Sequence, residues 1–121
     1  MKVVATNRRA YHEYAIFERL EAGIALGSAE IRAVRSGKVN LAGSFARILR
    51  GELWLLNTHI QGDAADRTRK LLIHKSEIDH LAGKLTQGFP IIPLRLYLKR
   101  SLAKVELGLA KRRRQADKRE L

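Results

Sequence analysis

Two alternating runs near the C-terminal end constrain the fold more than any other stretch. In PLRLYLKR, Leu94, Leu96 and Leu98 oppose Arg95, Tyr97 and Lys99; in AKVELGLA, Val105, Leu107 and Leu109 oppose Lys104, Glu106 and Gly108. A period of two with apolar residues on one side describes a strand with one face on a core and the other toward water. Pro90 and Pro93 cannot donate to a ladder, so they suit a strand start or an unpaired edge.

The rest of the chain supplies more short strands and few helices. Tyr14 to Leu26 (YAIFERLEAGIAL) reads as two short strands or one strongly bent strand, with Ala22-Gly23 at the bulge or bend. SFARILR and ELWLLNTHI read as a hairpin turning at Arg50-Gly51-Glu52. Between these lies SAEIRAVRSGK, with Ser28 as N-cap, Glu30 in the first turn, Ile31 and Val34 on one face and Gly37 as the stop. In LLIHKSEIDHLAGKLTQG, Ser76 caps a helix whose stripe is Ile78, Leu81, Ala82 and Leu85. Gly83 weakens it by about 1 kcal/mol relative to alanine, so packing must hold it. About six strands without a βαβ rhythm predict one domain, a small closed antiparallel barrel of the OB type with added helices. Residues 1–110 are expected to form its body and residues 111–121 a basic C-terminal tail.

Charge narrows the partners. Twenty-four Lys plus Arg against twelve Asp plus Glu give a net +12, a field that favours polyanions. Arginine outnumbers lysine fifteen to nine, which leans toward phosphate and base recognition because guanidinium binds bidentately and stacks. No basic amphipathic helix carries Trp or Phe on an apolar face, so a membrane surface is not the expected partner. No apolar run approaches the roughly 20 residues of a membrane span, and the N-terminus has no signal-like h-region; a soluble cytoplasmic protein is expected. The absence of cysteine excludes disulfides and thiolate metal sites.

Little in the chain points to catalysis. His74 and His80 are six apart, which does not place two ligands on one helical face, so no metal or cofactor is expected. Ser44, His59 and Asp63 sit in ordinary strand and loop settings without a nucleophile elbow. Glu18 with Glu21, and Glu77 with Asp79, read as a strand surface and a helix first turn. Basic residues interleaved with aromatics say more. NRRAYHEY gathers Arg8, Arg9, Tyr11, His12 and Tyr14, with Tyr14 equally readable as a core strand residue. RTRK (Arg67 to Lys70) and the KRRR run from Lys111 are two further basic clusters. By pattern alone the chain is an RNA- or DNA-binding barrel.

Taken in order, NRRAYHEYAIFERLEAGIAL, AEIRAVRSGKVNLAGSFA, RKLLIHKSEIDHL, AKVELGLAK and DKR resemble the SsrA-binding protein (SmpB) family from Asn7 to Arg119. The resemblance implies an OB-type barrel with three short helices. It implies an adaptor that binds the tRNA-like domain of transfer-messenger RNA and delivers it to stalled ribosomes for rescue and tagging of nascent chains. The adaptor is no enzyme, and a monomer is expected. Carried over by position, the RNA-facing or structurally required residues are Asn7, Arg8, Tyr14, Glu21, Glu30, Arg35, Gly37, Lys38 and Asn40; Arg9 and Arg32 join the expected RNA-binding set as basic residues beside them. Arg69 and Lys70 are expected on phosphates. Lys111, Arg112, Arg113, Arg114, Asp117, Lys118 and Arg119 belong to a tail that enters the decoding centre of the small subunit.

The chain also departs from that family's pattern. Ser28-Ala29 stand where the family has Gly-Thr, and Arg32-Ala33 where it has Lys-Ser. The segment from Ile60 to Arg69 is shorter than the family's loop. Arg112 replaces a glycine, Arg113-Arg114 replace Lys-Lys, and Ala116 stands where Tyr or His is usual. The second reading is a generic OB-type RNA-binding or ribosome-associated protein without the rescue role.

Overall fold

A computed structural model describes residues 1–114. The strands are β1 (Lys2–Thr6), β2 (Tyr14–Ile24), β3 (Val39–Asn40), β4 (Phe45–Leu49), β5 (Glu52–Leu56), β6 (His59–Ile60), β7 (Arg69–Leu72), β8 (Ile91–Lys99) and β9 (Leu102–Arg112). The helices are α1 (Arg8–Glu13), α2 (Ser28–Arg35) and α3 (Lys75–Thr86). In hydrogen-bonding order β8, β4, β5, β7, β2 and β9 follow one another and β9 returns to β8, so six antiparallel strands close a ring. β1 lies outside it on β8, and β3 with β6 forms a separate two-stranded pair. This is the expected mostly-β architecture with three helices.

The two alternating runs are β8 and β9, joined at Arg100-Ser101 with both φ angles positive (53° and 67°). Positive φ at both central residues matches the right-handed twist of a two-residue hairpin, here reached without glycine. In β9 the alternation holds: Val105, Leu107 and Leu109 lie in the main core. In β8 it is broken. A bulge between Pro93 and Arg95 makes Leu94 the extra residue, so Leu94 joins Ile92, Ala10 and Ala110 in a second core beneath α1 while Leu96 stays in the first. Gly108 faces that second core. A Cβ there would stand 2.8 Å from Leu94 Cδ1 and 3.0 Å from Ile16 Cγ2, so the site admits no side chain.

β2 is one long strand, as the second of the two readings had it, but its bulge falls between Ile16 and Glu18 and not at Ala22-Gly23. Gly23 has another use. There β2 passes from β9 to β7, and a Cβ would lie 3.3 Å from Leu72 Cβ. The β4–β5 hairpin turns at Arg50-Gly51 as expected, again with two positive φ angles. The run ELWLLNTHI is not one strand: Asn57 takes φ 63°, β5 ends at Leu56, and His59–Ile60 leaves to pair with β3.

Both helix caps sit one or two residues earlier than the sequence suggests. Gly27, not Ser28, precedes α2, and the Glu30 carboxylate accepts from its backbone N–H at 3.0 Å. His74, not Ser76, precedes α3, where Glu77 accepts from the His74 N–H at 3.1 Å. In each case a carboxylate three residues in satisfies an N-terminal amide.

The ring is tight at β8–β9 and narrow at β4–β8, where one register pair, Ala46 opposite Ile91, makes the closure. Asn7 fastens the seam. Its Nδ2 donates to Pro93 O (2.8 Å) and Leu41 O (3.3 Å), and its Oδ1 accepts from Ala10 N (3.1 Å) as the N-cap of α1. Pro93 stands at the gap between β8's pairings with β4 and with β1, so its missing N–H removes no ladder bond. Asn7→Ala is expected to destabilise by about 2 kcal/mol, since it removes a cap and strands buried carbonyls. Urea unfolding checks this, and hydrogen exchange should report α1 as the first element to lose protection.

Candidate nucleic-acid interface

Three groups of predicted residues fall in different places. The first is the C-terminal end of α2 and the pair that follows. Arg32 and Arg35 occupy the last turn of α2, where cations complement the helix dipole. Gly37 (φ 74°) reverses the chain, and Lys38 and Asn40 then line a shallow open concavity of about 310 Å³ with His59 and Gln61. Asn40 Oδ1 accepts from Ala42 N at 2.9 Å, which fixes the turn into β4. Among the described residues, Arg32, Arg35 and Lys38 are exposed and have no carboxylate partner. Their charge faces water, available to phosphates.

Beside this face lies an ionic cluster centred on the buried Arg69 side chain, and here the expected phosphate contact is corrected. Arg69 is 0% exposed. Its Nε donates to Glu30 Oε2 (2.6 Å), Nη1 to Thr58 O (2.7 Å) and Arg67 O (3.1 Å), and Nη2 to Ala65 O (2.9 Å) and Ala64 O (3.2 Å). All five guanidinium donors are therefore spent inside the protein. Arg69 is no phosphate contact; it ties the 61–68 loop, the end of β5 and the start of α2 into one body. Glu30 faces inward to the same cluster, with Arg67 Nη2 at 2.5 Å. Burial pushes the Glu30 carboxyl up. Hydrogen bonds from Arg67, the Gly27 N–H and Arg69 outweigh it and hold the carboxyl down at about 2. Asn7, expected as RNA-facing or structurally required, is buried with both amide atoms engaged by the protein's own backbone. Lys70, half-exposed, forms an ion pair with Glu52 across the β5–β7 ladder.

The second group lies on the outer face of β2, β9 and β8. Glu21 stands directly opposite Glu106, a like-charge pair that each carboxylate resolves separately. Tyr97 Oη donates to Glu21, with Lys99 Nζ 3.7 Å away. Glu106 accepts from Arg95 (3.2 Å) and Arg19 (3.4 Å). The Tyr97 hydrogen bond lowers the Glu21 carboxyl below its ordinary range, with Lys99 and Lys104 adding to it against desolvation. Sequence reading named Glu21 but missed Tyr97, Lys99, Arg95 and Arg19. The strand register, invisible without knowing the bulges, brings them together.

The third group surrounds α1 and the end of β9. Arg8 and Arg9 are exposed on α1. Lys111 and Arg112, read as the first tail residues, are the last residues of β9, opposite Ala15 and Tyr14. Arg112 lies over the Tyr14 ring at 5.8 Å, and its Nη2 is 3.4 Å from Glu13. Arg113 Nε donates to Tyr14 O (3.1 Å) and Tyr11 O (3.3 Å), so it too is fastened to the body. Arg114 is exposed. Asp117, Lys118, Arg119 and the position of Ala116 lie outside the described residues.

A family model described as SmpB protein matches residues 4–121. The chain belongs to the SmpB family. The SsrA-binding protein of Carboxydothermus hydrogenoformans is 52% identical to it, over 98% of this chain and 86% of that protein. That of Geobacter metallireducens is 49% identical, over 98% and 84%. Among solved structures, one of tmRNA-SmpB, described as "a journey to the center of the bacterial ribosome", matches with a TM-score of 0.78 at 43% identity. It covers 99% of this chain and 94% of that one. In this fold the α2 face and the Glu21 face both lie on the surface of the closed ring, and the Glu30–Arg69 cluster ties α2 to the 61–68 loop.

Proposed function

We propose that this chain is the RNA-binding adaptor of trans-translation, binding the tRNA-like domain of transfer-messenger RNA and delivering it to stalled ribosomes, without catalysing a reaction itself and acting in the cytoplasm. The observation that carries this reading is the exposed, unpaired cationic face of Arg32, Arg35 and Lys38 on a member of the SmpB family. Arg8, Arg9, Tyr14, Glu21, Asn40 and Lys70 complete the RNA-facing set. Tyr14 supplies an aromatic ring, and Glu21 accepts from base amino groups or a 2′-OH. Residues 1–113 form the RNA-gripping body, and Arg114 with Asp117, Lys118 and Arg119 is the part that engages the ribosome.

A binding titration at physiological salt tests the reading. Preference for the tRNA-like half of transfer-messenger RNA over an unrelated hairpin of equal length is expected, and equal affinity for the two overturns it. Arg35→Ala should weaken that binding by about five- to tenfold, the worth of one charge-assisted contact. Deleting residues 115–121, which leaves β9 whole, should keep the RNA preference and reduce ribosome engagement.

A further inference from the structure

We infer that the cleft at the narrow seam of the ring, apart from the α2 face, takes one unstacked nucleotide: its base lies against the Tyr14 and Phe45 rings, its phosphate on Arg9, Arg47 and Arg112. The inference rests on the RNA-binding reading and adds a ligand and a place to it.

The cleft exists because β4 touches β8 through one register pair, which leaves a cavity of about 420 Å³ between α1, β4 and the end of β9. That volume lies within the ~300–1,000 Å³ of small-ligand sites, large enough for one nucleotide and too small for a duplex. Its lining combines a floor that includes Ile91, the Tyr14 and Phe45 rings and three guanidinium groups. Arg47 lies 5.7 Å over the Phe45 ring and Arg112 5.8 Å over Tyr14. Arg9 leans in from α1, its Nη1 3.9 Å from where a Cβ would stand on Gly43. Stacked arginine–ring pairs offer flat cationic edges beside a π face, the surface an extruded base and its phosphate need. Three guanidinium groups meet one carboxylate, Glu13, itself bonded to Arg112, so the cleft favours an anion.

The probe is a titration of the full chain with guanosine 5′-monophosphate, uridine 5′-monophosphate and ribose 5-phosphate, followed by amide NMR. Saturable shifts at Gly43, Phe45 and Ile91 are expected with a dissociation constant on the order of millimolar. The nucleotides should bind more tightly than ribose 5-phosphate. Equal shifts for all three ligands, or shifts confined to Arg35–Asn40, overturn the inference. Arg47→Gln, on an exposed side chain, should raise the guanosine 5′-monophosphate constant about fivefold, the worth of one charge-assisted hydrogen bond. The same variant tested against transfer-messenger RNA and against ribosomes identifies the source of the nucleotide by which binding it weakens; no weakening of either overturns the site. Because the mononucleotide titration contains no transfer-messenger RNA, its outcome is independent of the selectivity test above.

Discussion

Arg69→Ala is expected to lose about 3–5 kcal/mol of stability, the range for removing one partner of a buried ion pair. The reason is that it cuts five hydrogen bonds at once. Four carbonyls, those of Thr58, Ala64, Ala65 and Arg67, lose their Arg69 donor, and Glu30 keeps only Arg67 and the Gly27 N–H. The neighbouring Lys70→Ala removes a half-exposed pair with Glu52 and should stay below about 1 kcal/mol. Urea unfolding of the two variants side by side measures the contrast, with a fall in Tm of roughly 10–20 °C for Arg69→Ala. Lysine does not rescue it, because one ammonium cannot replace a five-donor fork. A loss under 1 kcal/mol together with a flattened salt dependence of RNA binding would make Arg69 a phosphate contact after all. The predicted loss has a functional consequence. Arg69 fixes α2 against the 61–68 loop, so RNA affinity should fall even where the variant is still folded, with Arg35 and Lys38 chemically intact but no longer held in register.

That correction shows what the sequence can and cannot say about this molecule. The alternation in β9, the β4–β5 turn and the two longer helices were readable because each rests on local periodicity or turn chemistry. What escaped were the features set by long-range pairing. β1 is an edge strand with few buried side chains, and α1 is six residues long, so neither carries a strong periodic signal. The bulge that sends Leu94 to the second core depends on Ile16, Gly108 and α1 meeting there. In the candidate site, Arg32, Arg35 and Lys38 are where a basic face was expected. Arg69 is expected on phosphate, and Asn7 and Glu30 as RNA-facing or structurally required, because of their chemistry and position in the motifs; the fold turns all three toward the protein's own groups. A motif records that a guanidinium is required; only its exposure says whether RNA or the protein's own carbonyls require it. Arg47 and Phe45, in contrast, sat in an unremarkable hairpin strand. No spacing rule links them to Arg9 and Arg112 across the seam.

Acid should dismantle this scaffold at the Glu30 cluster over a defined window. In the folded protein the Glu30 carboxyl is held at about 2 against an ordinary value of 4.5. Its folded value is the lower of the two, so the unfolded chain takes up the proton first as pH falls. The stabilisation is thus fully present above about 4.5 and is lost progressively between there and about 2. A gap of that size corresponds to about 3 kcal/mol, at 1.36 kcal/mol per pH unit. The Glu21 carboxyl, also held below its ordinary value, adds to the acid dependence, so the measurement is a comparison. Wild type and Glu30→Gln are unfolded in urea at a series of pH values from 7 to 2. Glutamine retains an acceptor for the Gly27 N–H but leaves the buried Arg69 without its counter-charge. The variant should be less stable by about 3 kcal/mol at neutral pH, and the difference should shrink toward zero as pH approaches 2. A difference that stays constant with pH would mean that the carboxylate's charge contributes nothing and that the cluster is held by shape and neutral hydrogen bonds alone. Convergence of the two curves would place the charge of Glu30, through Arg69, at the base of the face that carries Arg35 and Lys38.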